Sequence, residues 1–251
     1  MGERIQPFRI LGDLWYVGLK SVSVHLFASD QGHILLDAGL PGTGPEILAH
    51  VVEAGFRPAD IRYLLLTHAH LDHLGGAAHI QRETGATVCL GEADWAEAAA
   101  GDPAARGLRG FEPVTPDRPL RDGEAVEVGP WRLRALHTPG HTPGCFSFQF
   151  EIPMSSGREP GFLFGGPGMN PFRRGSREYG GTADQFRRTL DRIENLEVRL
   201  WLAGHPSQNR TFEKRDALLA GAAANPFLDP AGWKTYLAGR REALKQAEEM
   251  P

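Results

Sequence analysis

The chain of 251 residues has no run of about 18 apolar residues, so it offers no helix that could span a bilayer. Its two cysteines, Cys89 and Cys145, are too few for a disulfide framework. Both lie in apolar, strand-like runs and read as free buried thiols. Positive charge is not in excess: 27 Lys and Arg against 31 Asp and Glu leave a net charge of −4. Nucleic acid binding favours a basic surface, so no nucleic-acid partner is expected. The opening residues, Met1-Gly2-Glu3-Arg4-Ile5-Gln6-Pro7, lack the apolar stretch of a secretory leader. A cytoplasmic location is expected if the chain is complete as given, and a periplasmic or secreted one if a leader was removed. No change in composition marks a linker, and no exact repeat occurs. One domain over residues 1–251, acting as a monomer, is the expectation. With 41% hydrophobic and 23% charged residues, the composition is that of an ordinary globular protein.

Glycine and proline punctuate a pattern of short apolar runs. Strands are predicted at 14–17, 22–28, 33–37, 62–67, 86–90, 126–128, 132–136, 145–150, 162–164 and 198–202. Helices are predicted at 45–54, 73–84, 92–100 and 182–196, with Thr182 as an N-cap. The rest of the chain after 205 reads as helical, with a break at Asn225-Pro226-Phe227-Leu228-Asp229-Pro230. Strand, helix and strand between 33 and 67 make a βαβ unit. Long loops are expected at 101–122, 153–160 and 165–181, the first and last being candidate lids or binding loops.

The densest chemistry follows the apolar run Tyr63-Leu64-Leu65-Leu66. Residues 68–73 read His-Ala-His-Leu-Asp-His. Neutral imidazole and carboxylate are ligands that zinc accepts at about 2.0–2.2 Å. Imidazoles at i and i+2 converge on one ion if the segment is extended or turning. The following Asp72-His73 pair can then serve a second ion. Catalytic zinc usually takes three protein ligands and keeps a position for water. Two ions therefore need about two more ligands. His141, in the turn Thr138-Pro139-Gly140-His141-Thr142-Pro143-Gly144, and His205, in Leu202-Ala203-Gly204-His205-Pro206, are the candidates. All three histidine-bearing turns follow predicted strands, where ligands collect in open α/β folds. His137 reads as lying outside the ligand set, and His25, His33, His50 and His79 as structural.

This set of motifs resembles the metallo-β-lactamase superfamily. The matching residues are His68-x-His70-x-Asp72-His73, His141 within GHTPG, and His205 before Pro206. The resemblance implies an α/β fold, the αββα four-layer sandwich of two mixed sheets flanked by helices, with the metal site at one edge. A narrower resemblance is to the third subclass of class B β-lactamases. It is carried by Pro7-Phe8-Arg9-Ile10 through Tyr16-Val17-Gly18, by Gly32-His33-Ile34-Leu35-Leu36-Asp37, and by Asn225 to Pro230. It implies two Zn2+ per chain, the first held by His68, His70 and His141 and the second by Asp72, His73 and His205. Asp72 is then a ligand that can also shuttle a proton.

Other branches of the superfamily place a bridging aspartate after the strand matching Phe162-Leu163-Phe164. Here Gly165-Gly166-Pro167 follow, with no acid, which counts against glyoxalase II and lactonase readings. The subclass also has a serine near Gly166 that helps to hold a substrate carboxylate. Its absence leaves Asn170, Arg173 or Arg174 as candidate donors, and Gly166→Ser is expected to restore one. The resemblance implies a hydrolase that opens the β-lactam amide with a metal-bound hydroxide. The alternative is the same fold acting on lactones, thioesters or other small esters. Either way the partner is a small-molecule substrate. A nuclease would want a basic face. A purely structural zinc protein would close each ion with four protein ligands.

Overall fold

The structure is a computed structural model that describes residues 5–101, 111–154, 157–169 and 180–249. Two sheets lie face to face, each with helices on its outer side. The first sheet contains β1 (Phe8–Leu11), β2 (Leu14–Tyr16), β3 (His25–Phe27), β4 (His33–Leu36), β5 (Ile61–Leu65), β6 (Thr87–Gly91) and β7 (Arg118–Leu120), in that spatial order. It is antiparallel from β1 to β4 and parallel from β4 to β7. The second sheet contains β8 (Ala125–Val128), β9 (Trp131–His137), β10 (Phe146–Met154), β11 (Gly157–Phe164) and β12 (Leu200–Ala203). It is antiparallel from β8 to β11, while β12 runs parallel to β11.

The residue pattern explains the layers. Side chains alternate across a strand, so β9 (buried at Trp131, Leu133 and Ala135) turns one face inward. Those residues meet Phe27, Phe148 and Phe150 in a core between the sheets. A second apolar cluster packs the outer face of the first sheet against α1 (Gly44–Glu53), through Ile47 and Val51, and against Ile80. A third packs Phe162, Phe164 and Trp201 against α5 (Ala183–Ile193) and α8 (Pro230–Glu249). The sandwich is therefore the expected helix–sheet–sheet–helix stack. The strand–helix–strand unit from β4 through α1 to β5 is present, with β4 and β5 parallel.

Several predicted elements are corrected. The helix expected at 73–84 is two helices, α2 (Leu71–Leu74) and α3 (Ala77–Thr84). The break is Gly75-Gly76, which presses on the chain after β4. A Cβ on Gly75 would lie 2.3 Å from Pro41 N, and one on Gly76 would lie 2.3 Å from Ala38 O. The expected loop at 153–160 is the hairpin end of β10 and β11, with Pro153 opposite Arg158 and Pro160 opposite Glu151. β12 pairs only with Gly161 to Phe164. β9 likewise pairs only with Phe146 to Phe150 of β10, so Pro160 in β11 and Pro153 in β10 each sit where their strand has one free edge, which tolerates a missing N–H donor. The predicted helix at 92–100 opens as a 3₁₀ turn, Glu92–Asp94, before α4 (Trp95–Ala100). Strands β1 and β7 were not expected. Each is only three or four residues long, which leaves almost no period to detect. Past β12 come α6 (Pro206–Asn209), α7 (Thr211–Leu219) and then α8, broken at the expected Asn225-Pro226 segment. Residues 102–110 of the first expected lid and 170–179 of the second lie outside the described residues.

The core carries a titration consequence. Burial holds His25 at a pKa of about 3, against about 6.5 when unfolded. The unfolded chain therefore takes up a proton that the folded chain refuses. Stability from this neutral imidazole is present above about pH 6.5 and is lost as pH falls. At pH 4.5 the loss is about 2–3 kcal/mol. Thermal melts from pH 7 to pH 4.5 should show a shallower decline for His25→Leu than for the wild type. Equal declines would remove His25 from the acid response.

Candidate metal centre

Four loops meet at one end of the sandwich. Asp37 follows β4, His68 to His73 follow β5, His141 lies between β9 and β10, and His205 follows β12. Backbone hydrogen bonds fix these loops to one another and to the segment between β2 and β3. Ala38 N donates to His73 O at 2.7 Å, Phe146 N to Thr67 O at 2.8 Å, and Ser23 N to Gly204 O at 2.9 Å. His70 is still extended, at φ −74° and ψ 145°, and α2 begins at the next residue. That change of conformation separates the two halves of the motif. His68 and His70 project from extended chain, while Asp72 and His73 project from a helical turn.

The structure brings all six candidate ligands together in two groups. His68, His70 and His141 form one, and Asp72, His73 and His205 the other. Within each group the donor atoms lie within 4.8 Å of one another. The groups adjoin, since the His68 and His73 ring centroids are 4.3 Å apart. The first group is buried, whereas Asp72 and His205 are half-buried. Asp72 Oδ2 lies 3.4 Å from His205 Nε2 and 3.7 Å from His73 Nε2.

Hydrogen bonds on the far side of four rings set their orientation. His141 Nδ1 lies 3.0 Å from Gly168 O, and His205 Nδ1 lies 3.0 Å from Ser21 O. A carbonyl only accepts, so both Nδ1 atoms carry the proton and both Nε2 atoms are free to coordinate. His73 Nδ1 donates to Asp37 Oδ2 at 2.8 Å. Thr67 Oγ1 donates its one proton to Asp37 Oδ2 at 3.1 Å, so it accepts from His68 Nδ1 at 2.9 Å. His68 Nε2 is then buried with no hydrogen-bond partner. Burying a polar nitrogen without a partner is costly. A metal ion among these donors removes that cost, and the donor set suits zinc.

The electrostatics prepare the rings. Burial, with neighbouring histidines, pushes the His68 pKa well below the ordinary imidazole range. Burial likewise lowers His141 to about 4. Both are neutral at pH 7, as coordination requires. Burial also acts to lower His73, but the Asp37 and Asp72 carboxylates outweigh it and raise its pKa.

Asp37 and Thr67 were not singled out from the sequence. Asp37 is buried, has a φ of 64°, and accepts Thr67 N at 2.8 Å besides the two bonds above. The sequence trace of this role is a carboxylate ending the fully buried strand β4. His137 lies outside both groups. Its Nε2 donates to Pro143 O at 2.8 Å. His137→Ala should retain most activity, within a few-fold in steady-state assays. A loss as large as that from His141→Ala would contradict this placement. Among the other histidines, His50 is buried with Nδ1 3.1 Å from Val17 O. Asn170, Arg173 and Arg174, the candidate carboxylate donors, lie outside the described residues.

The expected repair by Gly166→Ser is overturned. A Cβ at 166 would lie 2.5 Å from Cys145 Sγ and 2.8 Å from His141 Cβ. Serine there would displace His141 instead of supplying a donor. Beside His70 is a cavity of about 320 Å³ lined by Ala69, Asp94, Glu97, Thr142 and Pro143, among others. That volume falls within the range of small-molecule sites.

The family model of the metallo-beta-lactamase superfamily matches residues 17–153. Among solved structures, BJP-1, a subclass B3 metallo-beta-lactamase of Bradyrhizobium japonicum, is 32% identical with a TM-score of 0.89, covering 97% of this chain and 93% of that one. FEZ-1 metallo-beta-lactamase from Legionella gormanii is 28% identical with a TM-score of 0.91, covering 100% and 99%. The hydroxyacylglutathione hydrolase GloC of Haemophilus influenzae is 34% identical over 209 residues, 81% of this chain and 91% of its own length. Two relatives named as probable metallo-hydrolases, from Bacillus subtilis and Burkholderia pseudomallei, are matched over only 62% and 47% of their own lengths. With its four-layer sandwich and clustered histidines, the chain belongs to the metallo-β-lactamase superfamily.

Proposed function

We propose that this chain is a dizinc hydrolase that opens the amide bond of β-lactams. His68, His70 and His141 hold the first ion, and Asp72, His73 and His205 hold the second. The observation that carries this reading is the six-donor set paired with a strand end that has no acid and no room for one. A Cβ on Gly165 would lie 1.9 Å from Phe146 O, so this backbone leaves no space for a carboxylate side chain at that position, which favours the β-lactam reading. The whole-chain likeness to β-lactamases adds support.

When bound, zinc polarises a carbonyl and lowers the pKa of water toward ~7. The chain's own residues do the rest. The buried, neutral His68 and His141 present lone pairs at pH 7. Thr67 Oγ1 and Gly168 O hold their Nδ1 protons, so neither ring can turn. Asp37 holds the Nδ1 proton of His73 and adds electron density to that ligand. Asp72 is the one carboxylate in the set and is half-buried, so that its oxygen can accept and return a proton. No serine nucleophile takes part.

A second reading has one specific observation in its favour. A relative named hydroxyacylglutathione hydrolase aligns with most of this chain. The two readings share the metal centre and differ in substrate. Turnover of a chromogenic cephalosporin should exceed that of hydroxyacylglutathione thioesters and simple lactones. Thioester turnover without cephalosporin turnover would replace the first reading with the second.

A further inference from the structure

Asp94 lies beside the loops of the first ligand group. It is buried, at 4% exposure, where the 3₁₀ turn Glu92–Asp94 passes into α4. An aspartate at a helix N-cap ordinarily accepts from the first-turn amides. Here the side chain makes no such bond and turns toward the histidine loops instead. Its Oδ2 accepts from Ala69 N at 3.0 Å and from Thr142 Oγ1 at 2.8 Å. Its Oδ1 accepts from Gly144 N at 2.7 Å. Ala69 lies between His68 and His70, and Thr142 follows His141. One carboxylate therefore ties together the two loops that carry all three ligands of the first group. Gly144 permits the approach, because a Cβ there would lie 2.5 Å from Asp94 Oδ1. Its one bond to the 68–73 loop is at Ala69, between the first-group ligands, and its other two go to Thr142 and Gly144; none goes to residues 71–73 or to the turn of His205.

Resting on the metal-centre reading above, we propose that Asp94 is a positioning residue that sets the spacing of His68, His70 and His141, and so the zinc affinity of that group alone. Charge-assisted bonds from a carboxylate to two amides and a hydroxyl are strong, and all three donors are shielded from water. Asparagine keeps the shape but turns an N–H₂ toward at least one of those donors. The two ligand loops then lose their common anchor. Partners of this kind alter metal affinity about 10–100-fold.

The test is zinc affinity, by competition with a chromophoric chelator, on the full chain. His205→Ala cripples the second group, and His141→Ala cripples the first. Asp94→Asn should weaken zinc binding about 10–100-fold in the His205→Ala background. In the His141→Ala background the remaining affinity should stay within about threefold, because Asp94 bonds none of the residues 71–73 and 205 that carry that group. A general loosening of the fold would weaken both. Equal losses in both backgrounds, or none in either, would overturn the inference. If Asp94→Asn does not fold, Thr142→Val and Thr142→Ser decide. Valine should weaken first-group binding and serine should restore it, and a valine variant equal to the wild type would overturn the proposal. Failure of the wild type to bind zinc would instead overturn the metal centre itself, and this inference with it.

Discussion

Replacing His141 with alanine is expected to abolish hydrolysis of any substrate, with kcat/KM falling roughly 10³-fold or more. Of the three histidines in the first group it comes from a different loop, and it closes the group over His68 and His70. Their ring centroids lie 4.8 and 4.3 Å from its own. Without it two donors remain, too few to hold zinc with an open position for water. His70→Ala should behave in the same way. The loss should appear in kcat and in zinc content together, which distinguishes it from lost substrate binding. Activity of His141→Ala within tenfold of the wild type would show that the first group is not the reacting centre.

Asp37→Asn is expected to have the next largest effect. The carboxylate is 1% exposed and accepts three hydrogen bonds, two from Thr67 and one from His73 Nδ1. An amide of the same shape must face at least one of those donors with its own N–H₂. A buried donor left without an acceptor costs about 1–3 kcal/mol. Asparagine tolerates the φ of 64° at this position, so the change isolates the carboxylate from the backbone. Alanine would add strain of about 1–2 kcal/mol. Zinc affinity of the second group should fall about 10–100-fold, with the melting temperature lowered even after metal removal. Unchanged zinc affinity would mean that His73 is oriented without Asp37.

The site was more legible in the sequence than the parts that hold it. Four candidate ligands fall within six residues, because a strand end followed directly by a helical turn can aim them at adjoining points. His141 and His205 were found by the same rule, a histidine in the turn after a strand. Asp37 and Asp94 were not found. Their contacts span 25 to 50 residues and exist only once β4, β5, β6 and the 138–144 turn are brought to one end. Composition could not show that Gly166 has no space for a side chain, since the obstruction comes from Cys145 and His141. In the fold, long periodic segments such as α1 and α5 were read to within a few residues. The short strands β1 and β7 were not, because three or four residues leave almost no period, and neither was the hairpin end of β10 and β11, where prolines mark an open sheet edge and not a loop.

The most direct test is hydrolysis of a chromogenic cephalosporin by protein of measured zinc content, before and after chelation. The expected result is close to two zinc ions per chain, turnover that disappears with the chelator, and recovery when zinc is returned. Protein carrying two zinc ions that leaves the cephalosporin intact would contradict the β-lactam reading. Turnover that survives complete removal of zinc would contradict the metal centre.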